Sequence, residues 1–572
     1  MLAWFVFSLV VFFILVGIIS SASSPGKPDL GDKAVLMIDL TKHFKEQKQE
    51  NPFGGLVAEA EDIPGLFELT RLINYAKSDS AIKGIYIKCN DNANGYASSQ
   101  EIRNALFDFK KSRKFVIAYG EVISQDAYYV ASAADRVYCN PKGMLEWKGL
   151  SSTLFFIKGT LEKLEIQPQI FYAGKFKSAT EPFREYKMTD ANRLQTSVYL
   201  NDLYAQLLSS AALRSGKDTA ALHQLADIGA LQTAGDAVKY NLIDAVKYDD
   251  EVQSELITML KMKETDKINF ISPGKYAQAA DLSKTDGERI ALIMAEGEII
   301  DGKGKSGQVG SEDFSNIIRK ARLDKSVKAI VFRVNSPGGS SLASEVILRE
   351  LLLAKKAKPV VVSFGDVAAS GGYYISCGAD SIFAQPNTIT GSIGVFTLIP
   401  NMGSFFKNKL GMTFDRVKTG PYADMISIDR PLSEGEKKFI QNSIDTIYHD
   451  FKSRVATGRK LSMEMVDSIA QGRVWTGERA LKIGLVDKLG NMQDAINCAV
   501  RMAKIKEYKI KEYPEKKGFL ENLMASYRNE VKVKAVQEEI GVEQYEMFQR
   551  LKSVSAMFSI PQARLPFDVE IR

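Results

Sequence analysis

One segment of the chain occurs twice, and this repeat limits the fold more than any other feature. Residues 83–150 and 328–395 align without a gap at an offset of 245. Lys83-Gly-Ile-Tyr-Ile matches Lys328-Ala-Ile-Val-Phe, the pattern of a buried strand. Asn90 matches Asn335, Gly120 matches Gly365, Tyr128-Tyr129 match Tyr373-Tyr374, and Ala134-Asp135 match Ala379-Asp380. Farther on, Thr233 to Asp244 matches Thr476 to Asp487. A correspondence this long predicts two copies of one domain. Each copy alternates short β-rich runs with helical patterns, so the expected fold class is α/β. Ala34 to Leu40 reads as the first strand of one copy and Ile290 to Met294 as its counterpart, with the polar stretch Ser283 to Glu288 between the halves. The expected organisation is therefore 1–24 as an apolar N-terminal segment, 25–282 as the first copy, 283–500 as the second and 501–572 as a charged tail. That tail reads as helical, ends in Pro561 and Pro566, and suits packing on a neighbouring domain or subunit.

At 572 residues the chain is too long for one core. Its formal charge of +6 is small for that length and no basic block stands out, which argues against nucleic acid as a partner. Cys89, Cys139, Cys377 and Cys498 are scattered without a C-x-x-C pair, so no structural zinc site or disulfide framework is expected, though one disulfide stays open. His43, His223 and His449 lack metal-ligand spacing. Leu2 to Ile19 is an apolar run that as a helix would span roughly 27 Å, enough for a bilayer core. We read it as a retained anchor; the competing reading is a cleavable signal peptide, given the small residues Ser20 to Ser24.

Duplicated domains that diverge at one place point to where their roles diverged. In the second copy Pro359 to Ser363 reads as a strand feeding Phe364-Gly-Asp-Val-Ala-Ala-Ser-Gly-Gly-Tyr-Tyr374. Ser370 at the start of a helix has two readings: an N-cap in a tight turn, or a nucleophile beside unpaired N–H donors. Arg333-Val-Asn-Ser-Pro-Gly-Gly-Ser340 is either a plain turn or a loop whose Gly338 and Gly339 aim N–H groups into a site. The first copy has Gln125-Asp126 in place of Ser370-Gly371 and lacks the paired glycines. A serine nucleophile needs a base, and no histidine has a suggestive context. A buried, neutral lysine is the alternative. The most unusual lysine context is Tyr172-Ala-Gly-Lys-Phe-Lys177-Ser-Ala-Thr-Glu-Pro-Phe183, after the strand candidate Pro168 to Tyr172. By residue type alone Lys177 reads as a surface lysine, as most lysines are.

Taken together, Gly174 to Phe183, Asn335 to Gly339, Gly365 to Tyr374 and Thr390-Gly-Ser-Ile-Gly-Val395 resemble the long form of the signal peptide peptidase A family over nearly the whole chain. The resemblance implies tandem Clp/crotonase-like domains behind an N-terminal transmembrane helix. It implies a serine protease with Ser370 as nucleophile, Lys177 as general base, Ser392 holding that lysine, and Gly339 and Gly371 as oxyanion-hole donors. Lys175 is the confusable neighbour of the base. No metal or cofactor is implied. The implied substrates are hydrophobic signal peptides, the implied assembly a homotetramer, and the implied place the outer face of the cytoplasmic membrane. Two alternatives are an acyl-CoA enzyme of the crotonase type and a non-catalytic membrane scaffold.

Overall fold

The repeated segments lie in two sheets that share an order of parallel strands; the second also carries Ile389–Gly391, parallel to the end of Val360–Ala369, and Val474–Thr476, antiparallel to Ile389–Gly391 in turn. The computed structural model describes residues 28–48, 62–280, 282, 286–515 and 561–565; the expected membrane anchor lies outside them. No helix among the described residues is long and apolar enough to cross a membrane. In the first sheet the neighbours run Ala245–Val246, Arg136–Leu145, Phe115–Ile123, Ile82–Lys88, Ala34–Asp39, Asn269–Ile271. In the second they run Lys488–Leu489, Ser381–Ala384, Val360–Ala369, Val327–Ser336, Glu288–Glu296, Tyr508–Tyr513.

Central strands of such sheets are buried on both faces, which is why they read as continuous apolar runs. In Glu288–Glu296, Ala291, Ile293 and Ala295 enter one core cluster while Ile290, Leu292 and Met294 enter another. The period of two splits the run between the layers. Residues matched in sequence make matched bonds. The Tyr128 hydroxyl donates to Leu242 O at 2.7 Å, and that of Tyr373 to Leu485 O at 2.9 Å. The Asp135 carboxylate accepts from Val116 N at 2.8 Å, that of Asp380 from Val360 N at 2.9 Å.

A third sheet joins the copies. Gln167–Ala173 of the first pairs antiparallel with Val395–Asn401 of the second, from Ala173 opposite Val395 to Gln167 opposite Asn401. The same sheet continues through Gln562–Arg564, Gly338–Ser340, Glu298–Ile300 and Gln308–Gly310. The tail therefore departs from expectation. Two of its described segments are strands: Tyr508–Tyr513 closes the edge of the second sheet and Gln562–Arg564 enters the third. The reason is visible in Tyr508-Lys-Ile-Lys-Glu-Tyr513. Tyr508 and Ile510 pack on one cluster and Tyr513 on the opposite one, a strand's alternation rather than a helix's. All four cysteines are buried and free, so the disulfide left open by the sequence is not formed.

Candidate active site

Ser370 follows the last residue of Val360–Ala369, at the carboxyl end of a central parallel strand, where open α/β sheets bind ligands. Its backbone sits at φ 53° and ψ −113°, a conformation that costs a non-glycine residue on the order of 1–3 kcal/mol. The N-cap reading fails, because its side chain makes no capping hydrogen bond. Gly372 is required by close approach: a Cβ there would lie 2.6 Å from Ser336 O. The turn is thereby pressed against the neighbouring strand end, and Ser370 N donates to Gly391 O at 2.8 Å.

Lys177 comes from the other copy. The antiparallel pairing of Gln167–Ala173 with Val395–Asn401 carries the chain to Gly174, whose φ of 111° turns it toward the second copy. Phe176 N donates to Gln471 O at 2.7 Å, and a Cβ on Gly472 would lie 2.7 Å from Lys177 Cβ. Gln195, on the helix Asp190–Ser215, clamps the joint. Its amide donates to Phe176 O at 3.1 Å and Ser178 Oγ at 2.9 Å, and accepts from Val474 N at 3.2 Å. Lys177 is 1% exposed, whereas Lys175 is exposed. The structure thus separates two lysines that sequence left adjacent.

The Lys177 Nζ lies 2.8 Å from Ser370 Oγ, 3.1 Å from Ser392 Oγ and 3.2 Å from Ser392 O. Ser392 is held at φ 51° with its N–H donating to Arg473 O at 2.7 Å. Burial pushes the lysine well below its ordinary value of 10.5, and no carboxylate opposes that shift. A neutral amine has two N–H donors and one lone pair. These match Ser392 O and Oγ as acceptors and the Ser370 hydroxyl as donor. Such an arrangement can take a proton from the serine.

Gly338 and Gly339 adopt φ 100° and 156°, and a Cβ on Gly338 would lie 2.7 Å from Gly371 N. The two glycine turns therefore abut beside Ser370. The family model for peptidase family S49 matches residues 108–263 and 353–506, once in each copy. The chain belongs to peptidase family S49. Protease 4 of Salmonella typhi is 38% identical over 476 residues, covering 82% of this chain and 76% of that one. A chloroplastic serine protease, SPPA, of Arabidopsis thaliana is 32% identical over 487 residues, covering 82% of this chain and 69% of that one. A protein of Enterococcus faecium that carries the name signal peptide peptidase SppA is 38% identical over 207 residues, 36% of this chain and 60% of that one.

As a member of family S49 the chain is a serine protease with duplicated domains, and the acyl-CoA and scaffold alternatives are not retained. Of the expected site residues of this protease, Ser370, Lys177 and Ser392 meet directly, and Gly339 and Gly371 lie in the abutting turns. Sequence reasoning missed Gln195, Gln471 and Gly472, which fix the lysine loop. Gln471 and Gly472 gave only the signal of polar or glycine residues between elements, and Gln195 that of a polar residue within a helix, signals shared by many surface positions.

Proposed function

We propose that the chain is a membrane-anchored endopeptidase that degrades hydrophobic signal peptides with a Ser370/Lys177 dyad shared between two Clp/crotonase-like copies. The observation that carries the dyad is the 2.8 Å contact between a fully buried lysine amine and the Ser370 hydroxyl. Lys177 takes the Ser370 proton as Oγ attacks the peptide carbonyl. The N–H groups of Gly339 and Gly371 hold the resulting oxyanion. Collapse breaks the C–N bond, and the proton on Lys177 goes to the leaving amine. A water then gives its proton to Lys177 and attacks the ester; the carboxylic acid leaves and Ser370 regains its hydrogen. Ser392 holds the amine in reach throughout.

Supporting the substrate class is the name of the Enterococcus relative. The anchor, residues 1–24, would hold the catalytic domains at the outer face of the cytoplasmic membrane, and a homotetramer would enclose the sites away from folded proteins. The test is hydrolysis of a hydrophobic signal peptide by the detergent-solubilised protein. Ser370→Ala and Lys177→Ala are each expected to lose about a thousandfold or more in kcat/KM. Full activity in Lys177→Ala would remove the base assignment.

A further inference from the structure

The third sheet has a slot one strand wide. Gly338–Ser340 and Val395–Asn401 do not pair with each other; each pairs with Gln562–Arg564. With strands about 4.8 Å apart, removing that segment would leave a gap of about 10 Å, the width an extended peptide needs to add as a strand. Ser370 adjoins this slot, since a Cβ on its neighbour Gly371 would lie 2.9 Å from Ala563 O, and Lys177 Nζ is 2.8 Å from Ser370 Oγ.

The segment sits in the slot as a peptide would. Gly338, Gly339 and Ser340 oppose Arg564, Ala563 and Gln562 in an antiparallel ladder. Just outside it, Ser341 N donates to Pro561 O at 3.2 Å and Leu565 N to Pro337 O at 2.8 Å. Alternate pairs of an antiparallel ladder exchange hydrogen bonds, so Gly339 and Ala563 form the bonded pair and Gly339 N–H faces the Ala563 carbonyl. A Cβ on Gly371 would lie 2.9 Å from the same oxygen, and one on Gly338 2.0 Å. A peptide carbonyl thus occupies the space between the two turns assigned to the oxyanion.

The side chains are individually received. Ala563 is 1% exposed. Arg564 Nη1 is 2.7 Å from Glu298 Oε1, with both side chains mostly buried. Leu565 is 2% exposed and joins Tyr199 and Leu203 of the first copy with Ile389 and Val474 of the second. A mere tether would not bury an arginine against a carboxylate next to the catalytic turn.

We propose that residues 561–565 occupy the peptide-binding slot as a built-in substrate analogue, with Ala563–Arg564 at the scissile position, and that Glu298 selects a cationic side chain immediately after the bond to be cut. This rests on Ser370 being the nucleophile. The preferred sequence is then a small residue, a basic one and an apolar one. The junction between the basic and apolar regions of a signal peptide offers that order. Because the analogue is part of the chain, it also competes with substrate.

The test uses the full-length protein and two quenched fluorogenic peptides spanning residues 557–568, one native and one with Glu at the Arg564 position. Wild type is expected to cut the native peptide after Ala563 and to favour it about tenfold or more, the worth of a charge-assisted hydrogen bond. Glu298→Arg is expected to reverse that order. In the full chain, Arg564→Glu is expected to raise casein hydrolysis several-fold by loosening the analogue. Equal rates on the two peptides, cleavage elsewhere, an unreversed order in Glu298→Arg, or casein hydrolysis unchanged or lowered in Arg564→Glu would each overturn the inference. Casein hydrolysis by wild type that vanishes in Ser370→Ala keeps the protease reading alive when the peptide preference fails. Its absence from wild type overturns both.

Discussion

The two copies share a strand order but use equivalent turns for opposite ends. In the second, the turn after the third strand holds Ser370 in a strained conformation with its hydroxyl free to meet Lys177. In the first, Gln125 fills that place, accepting from Lys148 N and Gly149 N and donating to Gly149 O. The glycine loop differs likewise. Gly338–Ser340 borders the peptide slot, whereas the chain after Gly95 is docked on the second copy: Ala97 N and Ser98 N each donate to Asp366 at 2.9 Å. A Cβ on Gly95 would lie 2.4 Å from that carboxylate. One copy keeps its turns strained and open for chemistry. The other ties its equivalent turns down through Gln125 and through Ala97 and Ser98 on Asp366 and uses them as a mount, while Lys177 reaches across from it to Ser370.

The contrast is sharpest in the lysine's protonation. In the proposed role of base Lys177 has to be neutral, and burial lowers its pKa. On the acid side of that pKa, kcat/KM is expected to rise about tenfold per pH unit and to level off well below pH 10.5. Lys177→Arg should lose about a thousandfold and the limb with it, since a guanidinium does not release its proton. Lys175→Ala, at an exposed site, should leave the limb in place; moving it would shift the base to the wrong lysine. The depressed pKa also has a stability consequence. The contribution is present above the unfolded lysine's pKa and lost as pH falls through the folded one. Thermal scans of Lys177→Met against wild type should therefore show the variant gaining on wild type as pH is lowered.

The joint between the copies provides the next test. Arg333 of the second copy is fully buried, 2.8 Å from Glu46 and 2.9 Å from Glu101 of the first. It also donates to Phe364 O at 2.8 Å, at the root of the Ser370 strand end. Its counterpart in the first copy, Lys88, is exposed. Arg333→Met leaves two buried carboxylates without their cation and should cost about 3–5 kcal/mol, read by denaturant titration. Burial already pushes Glu101 up to about 7. A carboxyl raised in the folded state favours folding below its unfolded pKa and loses that contribution as pH rises. The variant should thus be hurt more at pH 8 than at pH 5; a loss independent of pH would mean the carboxylates are not what Arg333 neutralises.

Much of this was legible in the chain because a duplication supplies its own control. Tyr128 and Tyr373, or Asp135 and Asp380, make matched bonds in both copies, the tyrosines from a helix to the loop before an edge strand and the aspartates from a turn to a central strand. Positions that differ, such as Gln125 and Ser370, mark the divergence of role. What was hidden depends on contacts across the copies, which one copy's pattern cannot encode. Asp366, four residues before Ser370, caps a helix in the other copy. Arg333 is a buried counter-ion to Glu46 and Glu101 of the other copy. Pro561 to Leu565, read as part of a helical tail, has five residues of no periodic character; only the slot makes them a strand.

Asp366 gives the finest distinction between the copies. It lies four residues before Ser370 and holds the N-terminal turn of the helix Tyr96–Lys110 through Ala97 N, Ser98 N and the Ser98 hydroxyl. An anionic acceptor at a helix N-terminus is favoured by the unpaired donors and by the dipole. Asp366→Asn keeps the size and one acceptor oxygen but loses the charge, so about 1–2 kcal/mol of stability should go. If the first copy is a mount for the catalytic turn, that loss should carry a fall in kcat larger than any rise in KM. Ser98→Ala, which removes one of the three donors from the other side, should reproduce the effect on a smaller scale. A drop in stability with kcat untouched would mean that the helix steadies the joint without steadying Ser370, and the mount would then act on folding alone.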